Sequence, residues 1–107
     1  MQWFQAVQLE FIFFITEECC DFVYIRDGPD LNDPLLAIQS GDLTNYLPLG
    51  PYWTSQSYMH VQFRTDGSIV YAGFEAHYSS GKHAYHNLLH KARKWSIFVK
   101  IKNKRLR

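Results

Sequence analysis

Four acidic residues stand where the chain is expected to turn: Glu17, Glu18 and Asp21 lie in one short stretch, and Asp66 belongs to an Asp-Gly pair further on. Carboxylates drawn from different loops to one point suit Ca2+, which takes six to eight oxygen ligands from carboxylates, backbone carbonyls and water. Taken on spacing alone, acids in turns are equally well explained as solvated surface groups. Two cysteines, Cys19 and Cys20, sit inside the same stretch. Sequence neighbours rarely bond to each other, because a disulfide normally joins Cα atoms about 4.4–6.8 Å apart. The pair therefore reads either as two free buried thiols or as a half-bridge whose partner is absent.

Other chemistry is thinly supplied. His86 and His90 would share one face of a helix and, with His83 nearby, could ligate zinc, but Asn87 stands where a metalloprotease motif needs glutamate. Gly28, Gly41, Gly50, Gly67, Gly73 and Gly81 are isolated from one another, so no glycine-rich phosphate loop is present. No turn motif presents a cysteine as a nucleophile to a base. An enzyme is not expected.

The elements that would position these residues are strands. Val7, Leu9, Phe11, Phe13 and Ile15 alternate with Gln8 and Glu10 in the period-two pattern of a half-buried strand. Phe22–Ile25 is β-branched and aromatic and ends at Asp27-Gly28, a pair suited to a tight turn. Leu35–Ile38 follows, and then a stretch rich in turn formers, Asp42, Asn45, Pro48, Gly50 and Pro51, reads as loop. In Tyr58–Phe63, Met59, Val61 and Phe63 fall on one face and Tyr58, His60 and Gln62 on the other. Phe74, Ala76 and Tyr78 form the last clear alternation, after the Asp66-Gly67 turn. Short alternating strands without a persuasive helix predict an all-β antiparallel sandwich or barrel.

Within 107 residues the hydrophobic fraction is 47% and the aromatic fraction 17%, enough for one packed core. Glu10, Glu17 and Glu18 interrupt the most apolar stretch, so no uncharged run is long enough for a transmembrane helix. The beginning of the chain has no basic segment and does not read as a secretory signal. The net charge of +1 conceals an asymmetry: residues 1–80 hold ten acids and two bases, a net of −8, and residues 81–107 hold nine bases and no acid. The second segment fits helical spacing at Tyr85, Leu88, Leu89, Ala92 and Trp95 and strand spacing at Trp95, Ile97, Val99 and Ile101. It is expected to be a basic tail, helical or disordered.

Several ordered motifs resemble the CUB domain family. They begin with Leu9-Glu10-Phe11 and Phe14 and continue through the run from Glu17 to Gly28, in which acid and cysteine precede an Asp-aromatic-Val strand ending in Asp-Gly. Pro34–Ala37, Ser40-Gly41, Ser55–Ser68 and Gly73–Tyr78 resemble the family's second half, so the likeness covers roughly residues 7–80. It implies an extracellular or secreted jelly-roll β-sandwich that recognises proteins or glycans, often with calcium at one end. Carried over by position, the calcium ligands would be Glu17, with Glu18 as the alternative, Asp21, Asp66 and the backbone carbonyl of Ser68. In such sites a basic side chain of a protein partner reaches the same carboxylates, here Glu17, Asp21 and Asp66.

The departures from the family carry their own expectations. Its first two cysteines have no counterpart before residue 7, and Ser40 replaces the fourth, so the chain reads as a CUB-like domain over 1–80 truncated at its start, followed by the basic segment 81–107. The leading functional expectation is a non-enzymatic protein-interaction module with a calcium-ordered acidic end. The alternative is that the basic segment, with Trp95, Phe98 and Leu106, contacts anionic membrane or polyanion surfaces. Recognition of a nucleic acid is not expected.

Overall fold

The computed structural model of the protein describes residues 6–65, 73–80, 86–90 and 97–102, the last two segments by their backbone. Eight strands run in chain order: β1 (Val7–Ile15), β2 (Phe22–Arg26), β3 (Leu35–Gln39), β4 (Leu49–Trp53), β5 (Tyr58–Arg64), β6 (Gly73–Ser80), β7 (His86–His90) and β8 (Ile97–Lys102). They form two four-stranded antiparallel sheets, ordered β4-β1-β6-β7 and β3-β2-β5-β8. The all-β antiparallel sandwich expected from the alternation is the architecture observed.

Each sheet turns one apolar face inward. Val7, Leu9, Phe11 and Phe14 of β1 with Phe74 and Ala76 of β6 meet Val23 and Ile25 of β2 and Met59, Val61 and Phe63 of β5. An edge-to-face ring pair joins the layers, Phe63 and Phe74 with centroids 5.5 Å apart, and within the first sheet Phe74 lies edge-on 5.7 Å from Phe11. Such pairs add about 0.5–1.5 kcal/mol each beyond the area they bury.

The alternation of β1 holds only as far as Phe11. A bulge between Phe11 and Phe13 in the pairing with β6 moves the inward position by one, so Phe14 is buried while Phe13, expected to be inside, is exposed along with Ile12. One extra residue reverses which face every later side chain occupies. Thr16, not Ile15, is consequently the next buried residue.

Two more expectations change. The stretch 42–51 was expected to be loop throughout, but its end starts β4, an edge strand whose Gly50-Pro51 pair stands against the single residue Glu10 of β1 at an irregularity in the pairing. Proline is tolerated at a sheet edge, where its missing N–H faces no neighbour. Gly50 has φ +105°, and a Cβ there would stand 2.9 Å from the Leu9 carbonyl oxygen. Asp27-Gly28 does not make a two-residue hairpin: the loop runs to Pro34, whose carbonyl accepts from the Asp27 amide at 2.8 Å, and Asp27 instead accepts from the amide and hydroxyl of Ser55. Before β4, a single 3₁₀ turn at Thr44–Tyr46 is led by Asp42, which accepts from the Thr44 hydroxyl and amide; these bonds hold its carboxyl below the usual range.

The segment 81–107 was expected to be helical or disordered, yet His86–His90 pairs with β6 and Ile97–Lys102 with β5. Strand spacing prevails because each sheet offers a backbone edge at the open side of β5 or β6. His86 and His90, suited to one helix face by spacing, are thus four strand residues or about 13 Å apart along the backbone, too far to share an ion. His83 and the remainder of the basic segment lie outside the described residues.

Phe63→Ala should destabilise the sandwich by about 3–5 kcal/mol, read as a fall in thermal midpoint; an unchanged midpoint would contradict the inter-sheet ring packing. Deleting residues 81–107 removes one strand from each sheet, so the shortened chain should lose cooperative unfolding and expose apolar surface to a hydrophobic dye. A separable tail would leave both signals unchanged.

Candidate functional site

The acidic stretch is the connection from β1 in one sheet to β2 in the other. Glu17 begins a turn whose carbonyl accepts from the Cys20 amide at 3.1 Å and the Asp21 amide at 2.9 Å. This turn is fastened to the segment after β3. The Thr16 amide donates to the Gly41 carbonyl at 3.0 Å, the Gly41 amide returns a bond to the Thr16 hydroxyl at 2.9 Å, and the Leu43 amide donates to Phe14.

Ser40 lies at the centre of the connection. Its hydroxyl oxygen is 2.6 Å from the Asp21 carbonyl, 2.9 Å from that of Glu18 and 3.4 Å from that of Glu17. One hydroxyl proton serves three acceptors, with the shortest contact at Asp21. The residue noted in the sequence only as a missing cysteine therefore binds the acidic turn by hydrogen bonding.

Asp21 is fully buried. Its Oδ1 accepts from the Thr65 hydroxyl at 2.7 Å and its Oδ2 from the Glu17 amide at 3.3 Å. A buried carboxylate without partners would be costly; here it ties the β1–β2 connection to the end of β5. An ionised carboxylate can make about four acceptor contacts, of which these two are made among the described residues. Asp21, expected from the resemblance to be reached by a partner's basic side chain, has no exposed surface here.

The other expected ligands are placed differently. Glu17 is half-buried beside the cysteines, whereas Glu18 is exposed and lays its aliphatic stem over Gly41. Asp66 and Ser68 lie outside the described residues. Thr65, which precedes Asp66 in the chain, is the point at which β5 reaches the acidic connection. No spacing rule signalled Thr65 or Ser40, because each acts through a contact between segments distant in sequence.

Cys19 and Cys20 are bonded to each other, against both readings of the sequence. Their Cα atoms are 3.7 Å apart, the separation of any trans neighbours; the tight turn is what carries both sulfurs to one side. Cys19 is exposed and Cys20 half-buried, so neither is a core thiol. With Phe22, Tyr24, Arg64 and Thr65 they line a cleft of about 420 Å³ beside the outer face of the second sheet. The rings of Phe22 and Tyr24 are 6.2 Å apart, and the Arg26 guanidinium sits 5.3 Å above Tyr24.

The family model described as CUB domain matches residues 2–78 of this chain. No solved structure matches it significantly.

Ser40→Ala should cost about 1–2 kcal/mol, because the Glu17 and Glu18 carbonyls lose their side-chain donor and the Asp21 carbonyl keeps only the longer bond from Thr16. Amide exchange should quicken at Cys20, Asp21 and Gly41 while β5 stays protected. Equal protection in both proteins would show that Ser40 does not hold the connection.

Proposed function

The chain belongs to the CUB domain family, and from that premise we propose that it is a protein-interaction module whose acidic end holds calcium and receives a basic group from a protein partner. Domains of this family are typically extracellular or secreted and generally act as non-enzymatic binding modules, many of them with Ca2+. Among the described residues no helix is long and apolar enough to cross a membrane.

The observation that carries the calcium reading is the buried Asp21 carboxylate, held between the Glu17 amide and the Thr65 hydroxyl. The carboxylates of Glu17 and Asp21 in this connection, joined by that of Asp66 as the family pattern has it, would supply the hard oxygen donors that Ca2+ takes. Glu17 and Asp21 would hold the ion together with Asp66 and the Ser68 carbonyl, the positions the family pattern supplies, and Glu18 is the alternative to Glu17. When bound, the ion neutralises the acids and fixes the two loops relative to each other. Asp21 positions the loop from inside, and Glu17, with Asp66, presents charge to a lysine or arginine of the partner. A charge-assisted bond of that kind is short and about twice as strong as a neutral one.

Calorimetry of the full chain with calcium at millimolar concentration should give a one-site isotherm, as affinities of extracellular modules are about 0.1–1 mM. At ten times Kd the ion should add about 1.4 kcal/mol to stability, seen as a higher thermal midpoint. Asp66→Ala should abolish both the heat and the rise. An absence of heat, or a midpoint in calcium unaffected by Asp66→Ala, would overturn this reading.

A further inference from the structure

One corner of the acidic connection holds two sulfur donors that a calcium site does not use. The sulfurs of Cys19 and Cys20 and a carboxylate oxygen of Glu17 all lie within 4.8 Å of one another. They stand on a turn whose backbone is fixed independently of the sulfur–sulfur bond, by the Glu17 carbonyl, the Ser40 hydroxyl and the Asp21 carboxylate. The sulfurs also wall the cleft beside Phe22 and Arg64, so the bond can be reached from solvent.

We propose that reduction of the Cys19–Cys20 bond converts this corner into a site for one zinc-class divalent cation, held by the two thiolates and the Glu17 carboxylate. Thiolates select soft and borderline cations over calcium. Zinc is commonly held by three protein ligands in a tetrahedron whose fourth position takes water, and the cleft provides that open side. Donor atoms of such a tetrahedron are about 3.5–3.8 Å apart; the Glu17 oxygen already lies within 4.8 Å of both sulfurs, and breaking their bond lets them separate to that spacing.

The chemistry balances with a dithiol as reductant. Its thiolate attacks one cysteine sulfur and breaks the Cys19–Cys20 bond, and its second sulfur closes on the first, so the reductant leaves as a cyclic disulfide. Two electrons and two protons pass to the cysteines. The cation then displaces both thiol protons to solvent as it binds. The site goes beyond the calcium reading and shares only Glu17 with it: calcium is tested on the oxidised chain, the soft cation on the reduced one, and either can fail alone.

The full chain, reduced with dithiothreitol and desalted under inert gas, is titrated with Cd2+ while the ultraviolet thiolate-to-cadmium band is followed. The band should saturate at one equivalent, fall on addition of Zn2+, and be absent from the oxidised chain. Cys20→Ser should remove it. Glu17→Gln should keep the band and weaken affinity by about tenfold or more, the scale seen when groups that support a metal site are removed. No band from the reduced chain overturns the proposal. So does unchanged affinity in Glu17→Gln, or equally tight binding by the reduced chain unfolded in urea, since either would mean that the folded corner contributes nothing.

Discussion

Everything in this protein hangs on β1, an interior strand of its sheet that supplies four of the buried core residues, Val7, Leu9, Phe11 and Phe14. Its Phe11 packs edge-on against Phe14 at 5.2 Å and against Phe74 at 5.7 Å, and Phe74 in turn meets Phe63 of the opposite sheet. These rings set how the two layers lie. The bulge after Phe11 belongs to the same constraint: it turns Phe14 inward to close the aromatic cluster and thereby places Thr16, instead of an apolar residue, at the threshold of the next connection.

That threshold decides what the acidic end can be. Because Thr16 is buried and polar, it must find partners, and it does so at Gly41 and at the Asp21 carbonyl. Ser40, beside it, collects the carbonyls of the turn, and Asp21 reaches inward to Thr65. The acidic end is thus a polar network added to the rim of an apolar core. Its acids divide between an inner residue that organises the loop, Asp21, and two outer ones, Glu17 half-buried and Glu18 exposed. The sulfurs of Cys19 and Cys20 are carried on the same turn and are brought together by its tightness.

Much of the fold could be read from periodicity. β1, β5 and β6 fall where apolar residues alternate with polar ones, because burying one face of a pleated sheet imposes that pattern directly on the sequence, and β2 and β3 fall on short β-branched, aromatic or apolar runs bounded by turn formers. The strand β4 escaped, since Gly50 and Pro51 are turn formers everywhere except at a sheet edge or bulge. β7 and β8 were ambiguous for another reason: a short apolar segment fits both periods, and only an available sheet edge selects one. For the site, the acids could be located as types at turns, and the family pattern ordered them. Ser40 and Thr65 carried no such signal, as a lone hydroxyl residue acquires meaning only from what it faces.

The sequence by itself determined the class of fold, the family and the concentration of carboxylates around Glu17, Glu18 and Asp21, because alternation and local motifs are properties of neighbouring residues. Tertiary structure alone decided that Asp21 is buried, that Phe14 and not Phe13 enters the core, and that Cys19 and Cys20 face each other. Each of these depends on register, and register is set when strands distant in the chain pair and pack, so that one bulged residue or one tight turn redirects every side chain that follows.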